Sequence, residues 1–279
     1  MTPKYIDIHS HINFTAFDAD RDEVIRRALD NYTWLINVGT QADTSKKAVE
    51  LAHKYSEGVY AIVGLHPIHT GKSFHDKQEL GSEGQEFVSR GEIFDKNIYR
   101  KFLQDPKVVG IGECGLDYYH LDTDSIKKQK EAFIAQIELA NEFNKPLMLH
   151  IRNAYVDALQ LLKKHAKVKG VVHFFTGTLE EAQGFLDFGF MISFAGAITF
   201  PPKKDGTGIH SIEVIKNIPL NMILTDTDSP YVAPVPYRGQ RNESVYVKEI
   251  VKKIAEIKNL SEAEVAQAIV ANAKRLFTI

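Results

Sequence analysis

The sequence predicts a single (β/α)8 barrel of the TIM type, and three observations carry that prediction. Eight short β-type runs alternate with helical stretches along all 279 residues without a break in pattern. The strand candidates are nearly continuous apolar runs, among them VVGIGE, PLMLHI, GVVHFF, FMISFAG and MILTD, the signature of parallel strands covered on both faces. The length of 279 residues is also a common size for one such barrel. The main rival, an open doubly wound sheet, usually carries a Gly-rich phosphate turn, and none is found here.

Strands are expected at 5–10, 34–39, 59–65, 108–113, 146–151, 170–175, 189–195 and 222–227. The first, Tyr5-Ile6-Asp7-Ile8-His9, has the β-branched apolar content of a buried strand. Helices are expected near 19–31, 43–57, 95–105, 124–144, 154–166, 178–188, 209–217, 243–258 and 261–277. The last opens Ser261-Glu262-Ala263-Glu264, with Ser261 suited to the N-cap and Glu264 to the capping-box position. One connection is out of scale. From Gly71 to about Asp95 the chain is polar and punctuated by glycine, without sustained periodicity. Loops of this length tend to be functional. After the third strand it would emerge on the catalytic face, as a lid, a substrate guide or inert decoration.

The apolar fraction of 44% and charged fraction of 25% are those of an ordinary soluble globular protein with ample material for a core. A formal net charge of −2 argues against a broad basic surface that clamps duplex regardless of sequence, while leaving room for a local phosphate pocket. The single cysteine, Cys114, excludes an intramolecular disulfide and a Cys-rich zinc module. It suits a reducing compartment and reads as a small buried apolar residue. The opening MTPKYIDIHSH has no signal-peptide h-region, and no apolar run approaches a membrane span. A cytoplasmic protein with no membrane association is therefore expected, and no obligate protein partner is evident.

The chemistry begins with Asp7-Ile8-His9-Ser10-His11. Residues two apart on a strand share a side, so His9 and His11 project together from the end of the first strand, as a shared divalent ion would need. Strand three ends at Gly64-Leu65-His66-Pro67 and strand four runs through Glu113 to Asp117. Strand five ends at His150 and Arg152, strand six supplies His173, and strand eight ends Asp226-Thr227-Asp228-Ser229-Pro230. In a barrel these ends converge on one rim, where active sites sit. Imidazoles and carboxylates without thiolates suit Zn, Mn, Co or Mg. Taken singly, His66 before a proline can cap a turn, and His150 and His173 can be core histidines bonded to carbonyls. Glu113 and Asp228 have less room for a bland role, because a buried carboxylate is costly unless paired or metal-bound. Asp226 can support Asp228 or contact the opposite side of the site. His53, His75, His165 and His210 fall on helices or loops and read as surface residues.

In order and spacing, DIHSH, GLHP, GIGECGLDYY, LMLHIR, HFFTG and TDSPYVAPVPYRGQRNE resemble the TatD family of metal-dependent deoxyribonucleases, within the amidohydrolase-like barrel superfamily. The likeness runs from Ile6 to the final helix, and GECGLDYY and the TDSPYVAPVPYRGQRNE block are its most specific parts. The resemblance implies a two-metal site. His9, His11 and Asp228 would hold one ion, Glu113 would bridge, and His150 and His173 would hold the second. His66 would sit beside the scissile phosphate, and Tyr118, Arg152 and Arg238 would contact substrate. The chain departs from the pattern at Phe174-Phe175, where the family usually has Cys-Phe, at Asp226, where a glutamate is common, and in its long 71–95 connection. These departures bear on substrate shape and leave every ligand in place.

The function so implied is hydrolysis of DNA phosphodiester bonds, as an exonuclease on single-stranded or frayed 3′ ends. Two ions (Mg, Mn or Zn) about 3.5–4 Å apart would activate water and offset phosphoryl charge, with Asp228 as general base and His66 or Arg152 facing the non-bridging oxygens. Tyr118, Tyr119 and Phe175 offer faces for base stacking, and Arg238 and Arg241 offer cations for phosphate. The rivals are a same-fold hydrolase of an ester, cyclic amide, phosphotriester or aminoacyl ester, and a non-catalytic metal-binding scaffold.

Overall fold

A computed structural model describes residues 2–71, 91–119, 124–201 and 208–279. Most of the connection expected at 71–95 lies outside the described residues. Eight strands in the order β1 to β8 alternate with helices in a (β/α)8 TIM-type fold. The strands are β1 (Tyr5–Ser10), β2 (Thr33–Val38), β3 (Val59–Val63), β4 (Val108–Asp117), β5 (Leu147–Arg152), β6 (Gly170–Val172), β7 (Met191–Phe194) and β8 (Ile223–Thr225). The helices are α1 (Arg21–Asp30), α2 (Ala42–His53), α3 (Lys96–Leu103), α4 (Ser125–Phe143), α5 (Tyr155–His165), α6 (Leu179–Asp187), α7 (Ile209–Asn217), α8 (Val247–Lys258) and α9 (Glu262–Phe277). Every residue of β1, β2 and β4 is buried, as their continuous apolar runs require.

Each element lies on its expected segment, and the differences at the ends have local causes. β6 stops at Val172, just before Phe174 takes a left-handed backbone conformation (φ 44°) that no strand can carry, and β8 stops at Thr225, three residues ahead of a second such residue, Asp228 (φ 52°). His173 and Asp228 thus stand on turns just past strand ends. The helix expected from 243 begins at Val247, after a 3₁₀ turn over Ser244–Tyr246. At α9 the capping box forms: Ser261 Oγ accepts from Glu264 N–H, and the Glu264 carboxylate accepts from Ser261 N–H.

The chain divides into two compact units. The first comprises Met1–Ser10, Asp22–Ile36 and Val171–Ile279, and the second His11–Arg21 and Asn37–Gly170. Within the first, β7 pairs with β8 in parallel, with Phe194 opposite Thr225. Asp7 locks β1 to the turn after β8: its carboxylate accepts from Thr227 N–H (2.8 Å) and Thr227 Oγ1–H (2.7 Å).

Within the second unit β4 runs on to Asp117, beyond the expected end at 113. Its glycines allow this extension beside β5, where Gly115 pairs with His150 and Asp117 with Arg152. A Cβ on Gly115 would sit 2.1 Å from the His150 carbonyl oxygen, at a φ of 139° that L side chains avoid. Gly115→Ala is therefore expected to lower the unfolding free energy in a urea titration by about 1–3 kcal/mol. Two buried amides on α4 fix the neighbouring strand ends. Gln136 pairs reciprocally with the backbone of Leu65 (2.9 and 3.0 Å), and Gln129 does the same with Asp117 (2.8 and 2.9 Å). Each amide supplies the one acceptor and one donor that a strand end leaves open.

Candidate metal centre

In the first unit, His9 comes from β1 and His173 and Asp228 from the turns after β6 and β8. His9 Nε2 lies 3.8 Å from Asp228 Oδ1, and the His9 and His173 rings stack with centroids 3.9 Å apart. Asp228 N–H donates to the His9 carbonyl (2.9 Å), which fixes the turn against β1. Asp226 points elsewhere. Its carboxylate accepts from Ser193 Oγ and from Phe174 N–H (3.2 Å), and burial pushes it up to about 6. It braces the turn carrying His173. Asn242 braces the turn of Asp228, donating to the Thr227 and Tyr231 carbonyls (both 2.7 Å).

In the second unit the buried Glu113 carboxylate stands among three imidazoles. His150 Nδ1 is 2.9 Å and His66 Nε2 3.2 Å from Oε1, and His11 Nε2 is 3.7 Å from Oε2. Ligand atoms of His66, Glu113 and His150 all lie within 4.8 Å of one another.

The outer ring nitrogens sort these histidines by role. His11 Nδ1 faces the Val38 carbonyl (2.9 Å) and so carries a proton, leaving the Nε2 lone pair for a cation. His150 Nε2 faces Asp117 Oδ2 (2.9 Å), and its Nδ1 faces Glu113. His66 is reversed: its Nδ1 accepts from Ile68 N–H (3.2 Å), so its Nε2 is the proton-bearing atom. His66 thus turns an N–H toward Glu113, whereas His11 turns a nitrogen lone pair. Burial, the largest influence, holds the His66 imidazole down to about 4, so it is neutral at neutral pH. At His150 burial also acts to lower the pKa, but Asp117 and Glu113 outweigh it and raise the imidazole to about 9. A cation at Nδ1 would take the place of that proton. Nitrogen and carboxylate donors, with the Cys114 thiol turned to the Met148 carbonyl (3.6 Å), fit a borderline or hard divalent ion.

The expected substrate contacts are placed as follows. Arg152 lies with its Cζ 3.5 Å from the centroid of the Tyr119 ring, which is 53% exposed. Arg238 lies over Phe200 (4.4 Å). The Tyr118 hydroxyl donates to Asp157 on α5 (2.8 Å), so that ring is tied down. Phe175 is a correction. At 2% exposure it is a core residue with no face for a base, because the left-handed Phe174 turns the chain inward. Arg241 pairs with Glu243 (3.5 Å), which also takes both ends of the Arg27 fork, so it serves an internal network. The sequence alone assigned no role to Asp7, Asp117, Gln129, Gln136 and the buried His69. The two glutamines were detectable as a seven-residue repeat on the apolar stripe of α4 around Ala132, Phe133 and Ile137.

The family model described as TatD related DNase matches residues 6–278. The chain is 36% identical over 276 residues to an uncharacterized metal-dependent hydrolase, YabD, of Bacillus subtilis, covering 98% of each chain. It is 31% identical over 280 residues to the 3′-5′ ssDNA/RNA exonuclease TatD of Pantoea vagans, covering 98% of this chain and 99% of that one. Among solved structures, YJJV, a TatD homolog from Escherichia coli, superposes with a TM-score of 0.83 at 27% identity over 100% of both chains. The chain is a metal-dependent hydrolase and belongs to the TatD related DNase family.

Proposed function

We propose that this hydrolase, as one domain over 1–279, cleaves phosphodiester bonds of DNA from single-stranded or frayed 3′ ends, using two divalent ions (Mg, Mn or Zn). His9, His11 and Asp228 would hold one ion and His150 and His173 the other, with Glu113 shared between them. One observation carries the proposal: Glu113 is buried with its carboxylate oxygens 2.9, 3.2 and 3.7 Å from imidazole nitrogens of His150, His66 and His11. Burying that carboxylate is affordable only with such partners or with cations. The exonuclease named in Pantoea vagans supports the substrate class. A cytoplasmic setting accords with the lone, buried Cys114, whose thiol burial pushes well above its usual range.

Bound divalent ions supply Lewis acidity and a nucleophilic water at neutral pH. Asp228, 17% exposed at its side chain, accepts the attacking water's proton. His66 Nε2–H donates toward the charge that develops on a non-bridging phosphoryl oxygen. Arg152, held over the Tyr119 ring, offers its guanidinium to an adjacent phosphate. Removing a charge-assisted bond of about 1.5–3 kcal/mol predicts that Arg152→Ala raises KM for an oligonucleotide at least about tenfold, with kcat less affected. Steady-state kinetics at fixed salt checks this.

The proposal is tested by stripping the enzyme with a chelator and restoring Mg, Mn or Zn before exposure to single-stranded DNA, RNA and p-nitrophenyl esters. Metal-restored shortening of DNA, with esters nearly inert, is the expected result. Ester cleavage with intact DNA would assign the site to another hydrolase class.

A further inference from the structure

We infer that Asp117 is a positioning residue that fixes the His150 imidazole for cation binding and ties it to the Tyr119–Arg152 stack. The inference rests on the ligand assignment of His150 made above. Asp117 is buried and both carboxylate oxygens are engaged. Oδ2 faces His150 Nε2 at 2.9 Å, and Oδ1 accepts from Tyr119 N–H at 2.8 Å. Its backbone is clamped by Gln129 through two further bonds. The carboxylate therefore has one orientation. The His150 ring is held at one nitrogen, which directs the other toward Glu113.

A carboxylate behind a ligating imidazole sets its tautomer and raises its basicity, and such partners govern cation affinity by about 10–100-fold. Asp117 does this while its other oxygen sets the backbone of Tyr119, the ring on which Arg152 lies. Asp117 and Arg152 are also register partners across β4 and β5. One buried carboxylate thus aligns a cation ligand and a guanidinium aimed at substrate phosphate. It needs no contact with either the cation or the substrate.

The test is a calorimetric titration of the metal-free protein with Mn²⁺. It compares wild type with Asp117→Ala, His150→Ala and the double variant, each checked for folding by circular dichroism. Asp117→Ala is expected to weaken binding by about 10–100-fold, and to weaken it no further in the His150→Ala background, because Asp117 acts through that ring. If Asp117→Ala does not fold, Asp117→Asn takes its place. Its amide oxygen still accepts from Nε2–H but carries no charge, so a smaller loss is expected, again absent without His150. Unchanged affinity in the Asp117 variant overturns the inference alone, as does an equal loss in both backgrounds. Unchanged affinity in His150→Ala overturns the ligand assignment and the inference with it.

Discussion

Asp228→Asn is expected to cut turnover of a single-stranded oligonucleotide by about 10²–10⁴-fold, the usual contribution of a general base, in a protein that still folds. The backbone argues that the variant is clean. Asp228 sits in the left-handed region (φ 52°), which asparagine tolerates better than most residues. The bond that fixes its turn is a main-chain one, from Asp228 N–H to the His9 carbonyl, and survives the substitution. The side chain's work is then separable from its scaffolding. Single-turnover rates on an end-labelled oligonucleotide, beside a melting curve, measure both. Unaltered turnover would remove the proton-acceptor role.

Glu113→Gln is expected to be as severe by a different route. An amide is nearly isosteric but uncharged, and half of it donates where the site needs an acceptor. Activity should fall by at least about 10²–10³-fold, the scale of losing one preorganised electrostatic element. Bound metal per chain, read by mass spectrometry of the purified protein, should fall with it. Stability of the metal-free protein should change less. His150 keeps its bond to Asp117 and His11 its bond to Val38. The cost is then that of one disrupted buried hydrogen-bond group, about 1–3 kcal/mol. A variant with full metal content and full activity would contradict the central place given to Glu113.

The fold was readable because the features that build it are local. Continuous apolar runs mark strands buried on both faces, and Ser261 with Glu264 marks a helix start through bonds between residues three apart. The strand ends could be read as a candidate site because a parallel barrel sends them to one rim. What the sequence left dark depends on partners far along the chain. Asp7 reaches Thr227, Gln136 reaches Leu65 and Asp117 reaches His150, and no local pattern announces such pairs. Phe175 failed for a related reason. An aromatic beside an expected ligand looks available for stacking until the backbone of Phe174 sends it into the core. His66 shows the finer limit. Which ring nitrogen faces Glu113 turns on which one meets Ile68 N–H, a matter of orientation that composition and spacing do not encode.

The most direct test of the central claim, metal-dependent phosphodiester cleavage at a DNA end, is a gel of a 5′-labelled single strand incubated with stripped and metal-restored enzyme. Closed circular duplex serves as the competing substrate. A ladder shortening stepwise from the 3′ end, present only with the restored ion and with the circle left intact, is the predicted result. Nicking of the circle ahead of any shortening of the single strand, or an unchanged single strand at full metal occupancy, would contradict it.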